Sequence, residues 1–169
     1  LERMGSLQGV AETKGAIHDA LPADGVAVVN ADDDFAAYFI GRLHDRRVLR
    51  FAVDADADVR ARDIRHEADG SRFVLVSPQG DTEVLLPMPG RHNVANALAA
   101  ASMAFAVGAS VAQVRAGLEA VQPVAGRLVS HALRSGAVLV DDSYNANPGS
   151  LAAAIDTLAG SGDEAWLVL

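Results

Sequence analysis

Two segments of the chain gather residues able to read a planar base and a sugar. In the first, PGRHNVANALAAA, Asn93 and Asn96 stand three apart. On the opening turn of a helix that spacing puts both amides on one face, where their donors and acceptors can meet a single base. In the second, GAVLVDDSYNANPGS, an apolar run over 137–140 delivers Asp141 and Asp142 to the end of a strand. Open α/β sheets keep their ligands at such strand ends. Two acidic groups there suit ribose hydroxyls or a hydrated magnesium ion, so the pair of segments reads as a nucleotide site. The asparagines could equally be caps of the helix that follows them.

The elements that must position these residues are legible in the hydrophobic period. Ser6 to about Ala20 carries apolar residues at Leu7, Val10, Ala11 and Ile17 and predicts a helix closed by the turn at 21–25. Val26 to Val29 predicts a short buried strand, Phe35 to Leu43 a helix capped by Asp32 or Asp33, and Arg47 to Val53 the next strand. Alternation of this kind builds a parallel sheet. From Val59 to Leu86 the period changes to two, with turn signals at 68–71 and 77–81, which predicts an antiparallel meander. Helices follow at about 91–107 and 110–120, then strands near 128–133 and 136–141, a helix near 149–159 and a strand from Ala165. Pro123 to Leu128 breaks the pattern and is the expected domain boundary, giving domains of 1–126 and 127–169.

Bulk properties narrow the function. A length of 169 residues with 50% hydrophobic content supports a real core. The net charge of −8 argues against a nucleic-acid partner, which needs a basic footprint. Cysteine is absent, which points to a reducing cytoplasm and excludes a thiolate zinc site. The uncharged stretch from Asn93 to Val114 is rich in alanine and is broken by Gly108, with Ser110 and Gln113 forming a new capping box. Two packed helices are expected there, not membrane insertion. The chain opens on Leu1 in mid-pattern and is expected to be a fragment of a longer protein.

Asp54, Asp56 and Asp58 imitate the start of a calcium loop. Position 6 of that loop would be Val59 where a glycine is needed, and position 12 would be Arg65 where a bidentate glutamate is needed. A solvated acidic loop is expected, and Asp32 to Asp34 are read as capping and surface residues. By composition alone Lys14 is a surface lysine, and Arg127 a surface arginine.

GRHNVANALAAA, PVAGRL and DDSYNANP, in this order and spacing and together with the opening LERMGSLQGVAETKGAIHDALPADGVAVVNADD, resemble the Mur ligases of peptidoglycan synthesis. The resemblance covers essentially the whole chain, and DDSYNANP is closest to the branch that joins D-alanyl-D-alanine to UDP-N-acetylmuramoyl-tripeptide. It implies an α/β fold: part of a central ATPase domain, with a mixed sheet, helices and a small antiparallel meander, followed by the start of a Rossmann-like C-terminal domain. It implies ATP and magnesium as cofactors. Lys14, in its KG context, would be carbamylated and hold magnesium through water, although Ala16 stands where a glutamate is usual. Asn93 and Asn96 would contact adenine, Arg127 would reach nucleotide phosphate or ribose as a catalytic residue, and Asp142 would hold the ribose. Tyr144, Asn145 and Asn147 would share that loop, and His92 has a family match without a derivable role.

No G-x-x-x-x-G-K-S/T occurs in the chain, so the cradle for the β- and γ-phosphates is missing from it. The resemblance places that loop, with a histidine and a glutamate for magnesium, before Leu1. The reaction it implies is attack of the tripeptide carboxylate on the γ-phosphate, then displacement of phosphate from the acyl phosphate by the dipeptide amine. The alternatives are a ligase like folylpolyglutamate synthase and a non-catalytic nucleotide-binding domain. There is no G-x-G-x-x-G for a dinucleotide and no G-x-S-x-G for a hydrolase.

Overall fold

The computed structural model describes residues 4–67, 70–122, 126, 129–144, 148–159 and 164–168. Helix α1 (Leu7–Asp19) starts at Ser6, whose hydroxyl accepts from the Gly9 amide at 3.0 Å, a bond that satisfies one orphan donor of the first turn. Its inner face is narrow and buries Ala11 and Gly15. At Gly15 an added Cβ would lie 3.2 Å from the Arg42 side chain, so the glycine lets α1 approach helix α2 (Ala36–Gly41) closely. Strands β1 (Val26–Asn30) and β2 (Arg47–Ala52) pair in parallel, Val26 opposite Arg47 and Asn30 opposite Phe51.

Strand β3 (Val59–Glu67) then runs antiparallel to β4 (Gly70–Val76), and β4 antiparallel to β5 (Thr82–Leu86). The expected meander is therefore present, but it is not a separate unit. Phe51 and Ala52 of β2 pair in parallel with Val59 and Arg60 of β3, which welds everything into one mixed sheet in the order β1-β2-β3-β4-β5. A shift of register between Arg62 and Arg65, with Asp63 at φ 53°, bends β3 where it leaves the β2 edge.

Helix α3 (Arg91–Ala106) lies against this sheet. Its buried residues Val94, Ala97, Leu98, Ala101, Ser102 and Phe105 repeat at helical spacing and pack on Phe51, Val59, Phe73, Leu75, Val84 and Leu86. Full burial of Leu98 or Phe73 contributes about 1.5–3 kcal/mol each. The one hydroxyl in the stripe, Ser102, is satisfied by the Leu98 carbonyl at 2.8 Å. Helix α4 (Val111–Glu119) begins with the expected capping box between Ser110 and Gln113 and adds Val114 and Leu118 to the same core. No described helix is long and apolar enough to cross a membrane.

Beyond the core, β6 (Val129–Ala132) and β7 (Val138–Asp141) form a separate antiparallel hairpin, and α5 (Pro148–Ala159) follows. Val138 and Leu139 are more than half exposed. The strand expected from Ala165 is not formed: residues 165–168 have no regular structure and no described strand pairs with them. An apolar run becomes a strand only where a neighbour accepts its backbone bonds.

Candidate functional site

The first turn of α3 is built from the segment that leaves β5. Gly90, at φ 95°, is its cap and offers no side chain, so the turn is held by other means. Met88 is anchored from below, where the buried Ser71 hydroxyl donates to its carbonyl at 3.2 Å and lies the same distance from His66 Nδ1. Asn93 donates from Nδ2 to the Pro89 carbonyl at 2.7 Å. Asn93 thus ties the helix start down, while its Oδ1 has no partner among the described residues. Asn96 is exposed and makes no hydrogen bond there, so its whole amide is available. Of the two readings of this pair, capping describes half of Asn93 and none of Asn96.

The acidic residues upstream are solvated as the sequence suggested, Asp54 and Asp56 being exposed, but each has a partner. Arg91 pairs with Asp54, Arg60 with Asp56 at 2.7 Å, and Arg50 with Asp58 at 3.4 Å. Asp33 does act locally, accepting from the Phe35 amide at 2.7 Å, but α2 has no side-chain bond at its cap. Asp32 acts at long range: its carboxylate accepts from the amides of Val53 (2.6 Å), Asp54 (3.2 Å) and Ala55 (2.7 Å). Partial burial works against its ionisation, yet those amides and the nearby Arg91 charge hold the carboxyl below its ordinary range. The pairings of Asp32 and of Asp54 were not readable in advance, because their partners lie 21 to 37 residues away.

The second acidic segment carries Asp142, whose charge is felt at His92 in the first turn of α3. Tyr144 donates its amide to the carbonyl of the buried Gly126 at 2.9 Å. Gly126 sits at φ 74°, and a Cβ there would come within 3.1 Å of the Tyr144 nitrogen, so the contact requires glycine. Asp141, the last residue of β7, accepts from the Ser143 amide at 3.1 Å, and Ser143 holds its carboxyl below the usual range. Asp142 is half-buried and near enough to act on His92. Burial lowers the His92 pKa, and the Asp142 charge opposes that shift. Sequence reasoning left His92 without a role; the structure leaves it half-buried, one residue before Asn93 and within reach of the Asp142 charge. Arg127, Asn145 and Asn147 lie outside the described residues.

Lys14 stands elsewhere. It is exposed on α1 at the wall of an open depression of about 510 Å³, with Ile17 and His18 beside it, Asn30 and Phe51 across the sheet, and Asp33 at the rim. Neither Asn93 nor Asp142 lines that depression. Lys14 has no ion-pair or hydrogen-bond partner among the described residues, and no three His, Asp or Glu side chains cluster among them. The structure therefore places His92, Asn93 and Asn96 at the start of α3, with the Asp142 charge felt at His92, and leaves Lys14 in a separate depression.

A family described as the Mur ligase middle domain matches residues 1–104. The UDP-N-acetylmuramoyl-tripeptide--D-alanyl-D-alanine ligase of Escherichia coli strain K12 is 45% identical over 160 residues, which are 94% of this chain and 35% of that protein. The ligase of the same name from Haemophilus influenzae is 43% identical, over 95% of this chain and 34% of its own length. The chain spans about a third of the length of these relatives. Among solved structures, a MurF from Acinetobacter baumannii superposes with a TM-score of 0.88 at 34% identity, covering 95% of this chain and 34% of that one.

Proposed function

The chain belongs to the Mur ligase family, whose middle domain matches residues 1–104, and from that premise we propose that it serves in an ATP-dependent ligase joining D-alanyl-D-alanine to UDP-N-acetylmuramoyl-tripeptide. Residues 1–126 are the C-terminal part of the central ATP-binding domain and residues 127–169 the start of the C-terminal domain, a division consistent with the two unjoined sheets. The work belongs to cytoplasmic peptidoglycan precursor synthesis. The name shared by the two relatives supports the substrate assignment.

The observation that carries the reading is the amide capacity left open at α3's first turn. Adenine presents an exocyclic amine and ring nitrogens, hence both donors and acceptors. The unpartnered Oδ1 of Asn93 and the free amide of Asn96 supply the complement. Asp142, whose charge is felt at His92, would accept from ribose hydroxyls. Tyr144, Asn145 and Asn147 belong to the same loop, and Arg127, next to the buried Gly126, carries the planar fork suited to phosphate or ribose.

In the reaction the tripeptide carboxylate takes the γ-phosphoryl group and the dipeptide amine then displaces phosphate. Magnesium supplies charge neutralisation on the transferring group. Lys14, as a carbamate and by way of water, is the residue here that would hold it. That lysine has room for such a modification, being exposed in an open depression with no competing partner among the described residues.

The test is calorimetric titration of ADP into the full-length ligase and its Asn96→Ala variant. Loss of one base contact should weaken binding by about 0.5–1.5 kcal/mol. Unchanged affinity would return the asparagine pair to a purely structural role.

A further inference from the structure

The loops that follow β1 and β2 are laced together and then to α3. Asn30 ends β1, and its Oδ1 accepts from the Asp32 amide at 3.0 Å, while the Ala31 amide donates to the Phe51 carbonyl at 2.8 Å. Asp32 in turn gathers the amides of residues 53, 54 and 55, the start of the loop after β2. The side chain of Asp54 leaves that loop and pairs with Arg91, the first residue of α3. Two residues on comes Asn93, itself bonded back to Pro89.

We propose that Asp32, Asp54 and Arg91 are positioning residues for nucleotide recognition, forming a strap that fixes the first turn of α3, and with it Asn93 and Asn96, against the C-terminal ends of β1 and β2. The strap rests on the nucleotide-binding reading of the asparagines. Its logic follows from the missing cap. Gly90 gives the helix start no side-chain bond, and a first turn left with orphan donors frays. Fraying matters little for stability but much for recognition, because a base contact displaced by a fraction of an ångström is lost. Arg91 suits the role of a sideways tie, since its long stem can leave the helix and its guanidinium acts on both Asp54 and the Asp32 charge. An arginine at a helix start is otherwise unfavourable, since it faces the positive end of the helix dipole. Its presence here is explained by the two carboxylates that meet it.

Asp54 and Arg91 are both exposed, with side-chain exposures of 76% and 50%, so each single replacement should have a modest effect. In the full-length ligase, Asp32→Ala, Asp54→Ala and Arg91→Ala should each raise the KM for ATP by about three- to fivefold, in line with a weak exposed pair. The fall in kcat should be smaller than the rise in KM. Arg91→Lys should restore part of the loss, and the Asp54→Ala/Arg91→Ala double variant should be no worse than the poorer single one. Wild-type KM in all three alanine variants, or additive losses in the double variant, would overturn the strap. So would an Arg91→Ala loss far beyond that of Asp54→Ala, because Arg91 would then touch the nucleotide itself. Absence of any ATP dependence in the wild-type enzyme would instead defeat the underlying functional reading.

Discussion

Helices α1 and α3 carry the two chemical assignments of this chain, and the fold treats them differently. α3 buries six residues in the main core, its lead-in is bonded at Met88 and Pro89, and Arg91 fastens it sideways. α1 buries only Ala11 and Gly15, leaves Ile17 71% exposed, and presents Lys14 to an open depression. The difference matches the chemistry proposed for each helix. Reading a rigid base demands groups fixed in advance, since every loose rotamer must be frozen on binding. A lysine that is to react with carbon dioxide and then face a water-coordinated metal needs access and space.

The sharpest way to break this contrast is Lys14→Ala. In the full-length ligase turnover should fall by at least about 10²-fold, the scale of losing one electrostatic element of a phosphoryl-transfer site. ADP affinity by calorimetry should stay near that of the wild type, because Lys14 is not part of the α3 cluster. Wild-type turnover would make Lys14 an ordinary surface residue. Short carboxylates added to the alanine variant should restore part of the rate if an anion is what the position supplies.

Stability offers a second, smaller contrast. Leu98 is fully buried on α3, and Leu98→Ala should cost about 2–5 kcal/mol in chemical denaturation, as cavity-forming changes do. Ile17→Ala, at an equally apolar but exposed position, should stay within about 0.5 kcal/mol. Comparable losses at both sites would mean that the α1 face is covered by something that the described residues do not contain.

These two helices also mark how far sequence reasoning reached. Both were readable, α3 from its alanine-rich period and α1 from Ser6 and its spaced apolar residues, because local pattern and capping chemistry act over a few positions. The capping box of α4 was readable for the same reason. The parallel joining of β3 to β2 was not, since a meander of period two looks the same whether it stands alone or extends an existing sheet. The strand from Ala165 failed in the opposite sense: its apolar run was real, but strand formation depends on a partner elsewhere. The asparagines and Asp142 could be singled out as candidates only through chemistry and family wording together. The Asp32 strap and the reach of the Asp142 charge to His92 were invisible, because charge pairing across 21 to 50 residues leaves no periodic trace.

The smallest expected effect concerns the strap and acid. Partial burial of Asp32 disfavours its charge, but three backbone amides and the Arg91 charge outweigh that, so its folded-state pKa lies below the unfolded value. The folded protein then binds fewer protons than the unfolded chain as the carboxyl titrates. The stability contributed by Asp32 is therefore fully present above about pH 4, the ordinary carboxylate range, and is lost as pH falls through the folded value. Asp32 is exposed at the surface, so water screens most of the interaction and only about a few tenths of a kcal/mol should be at stake. Denaturation midpoints of this chain and its Asp32→Asn variant, followed from about pH 7 down to about pH 3, should differ at neutral pH and converge in acid. A gap that stays constant would show that the carboxylate's charge is idle and that its hydrogen bonds alone hold the 53–55 loop. A gap that widens in acid would reverse the sign of the shift. Either result would remove the electrostatic half of the contrast between the fastened start of α3 and the open face of α1.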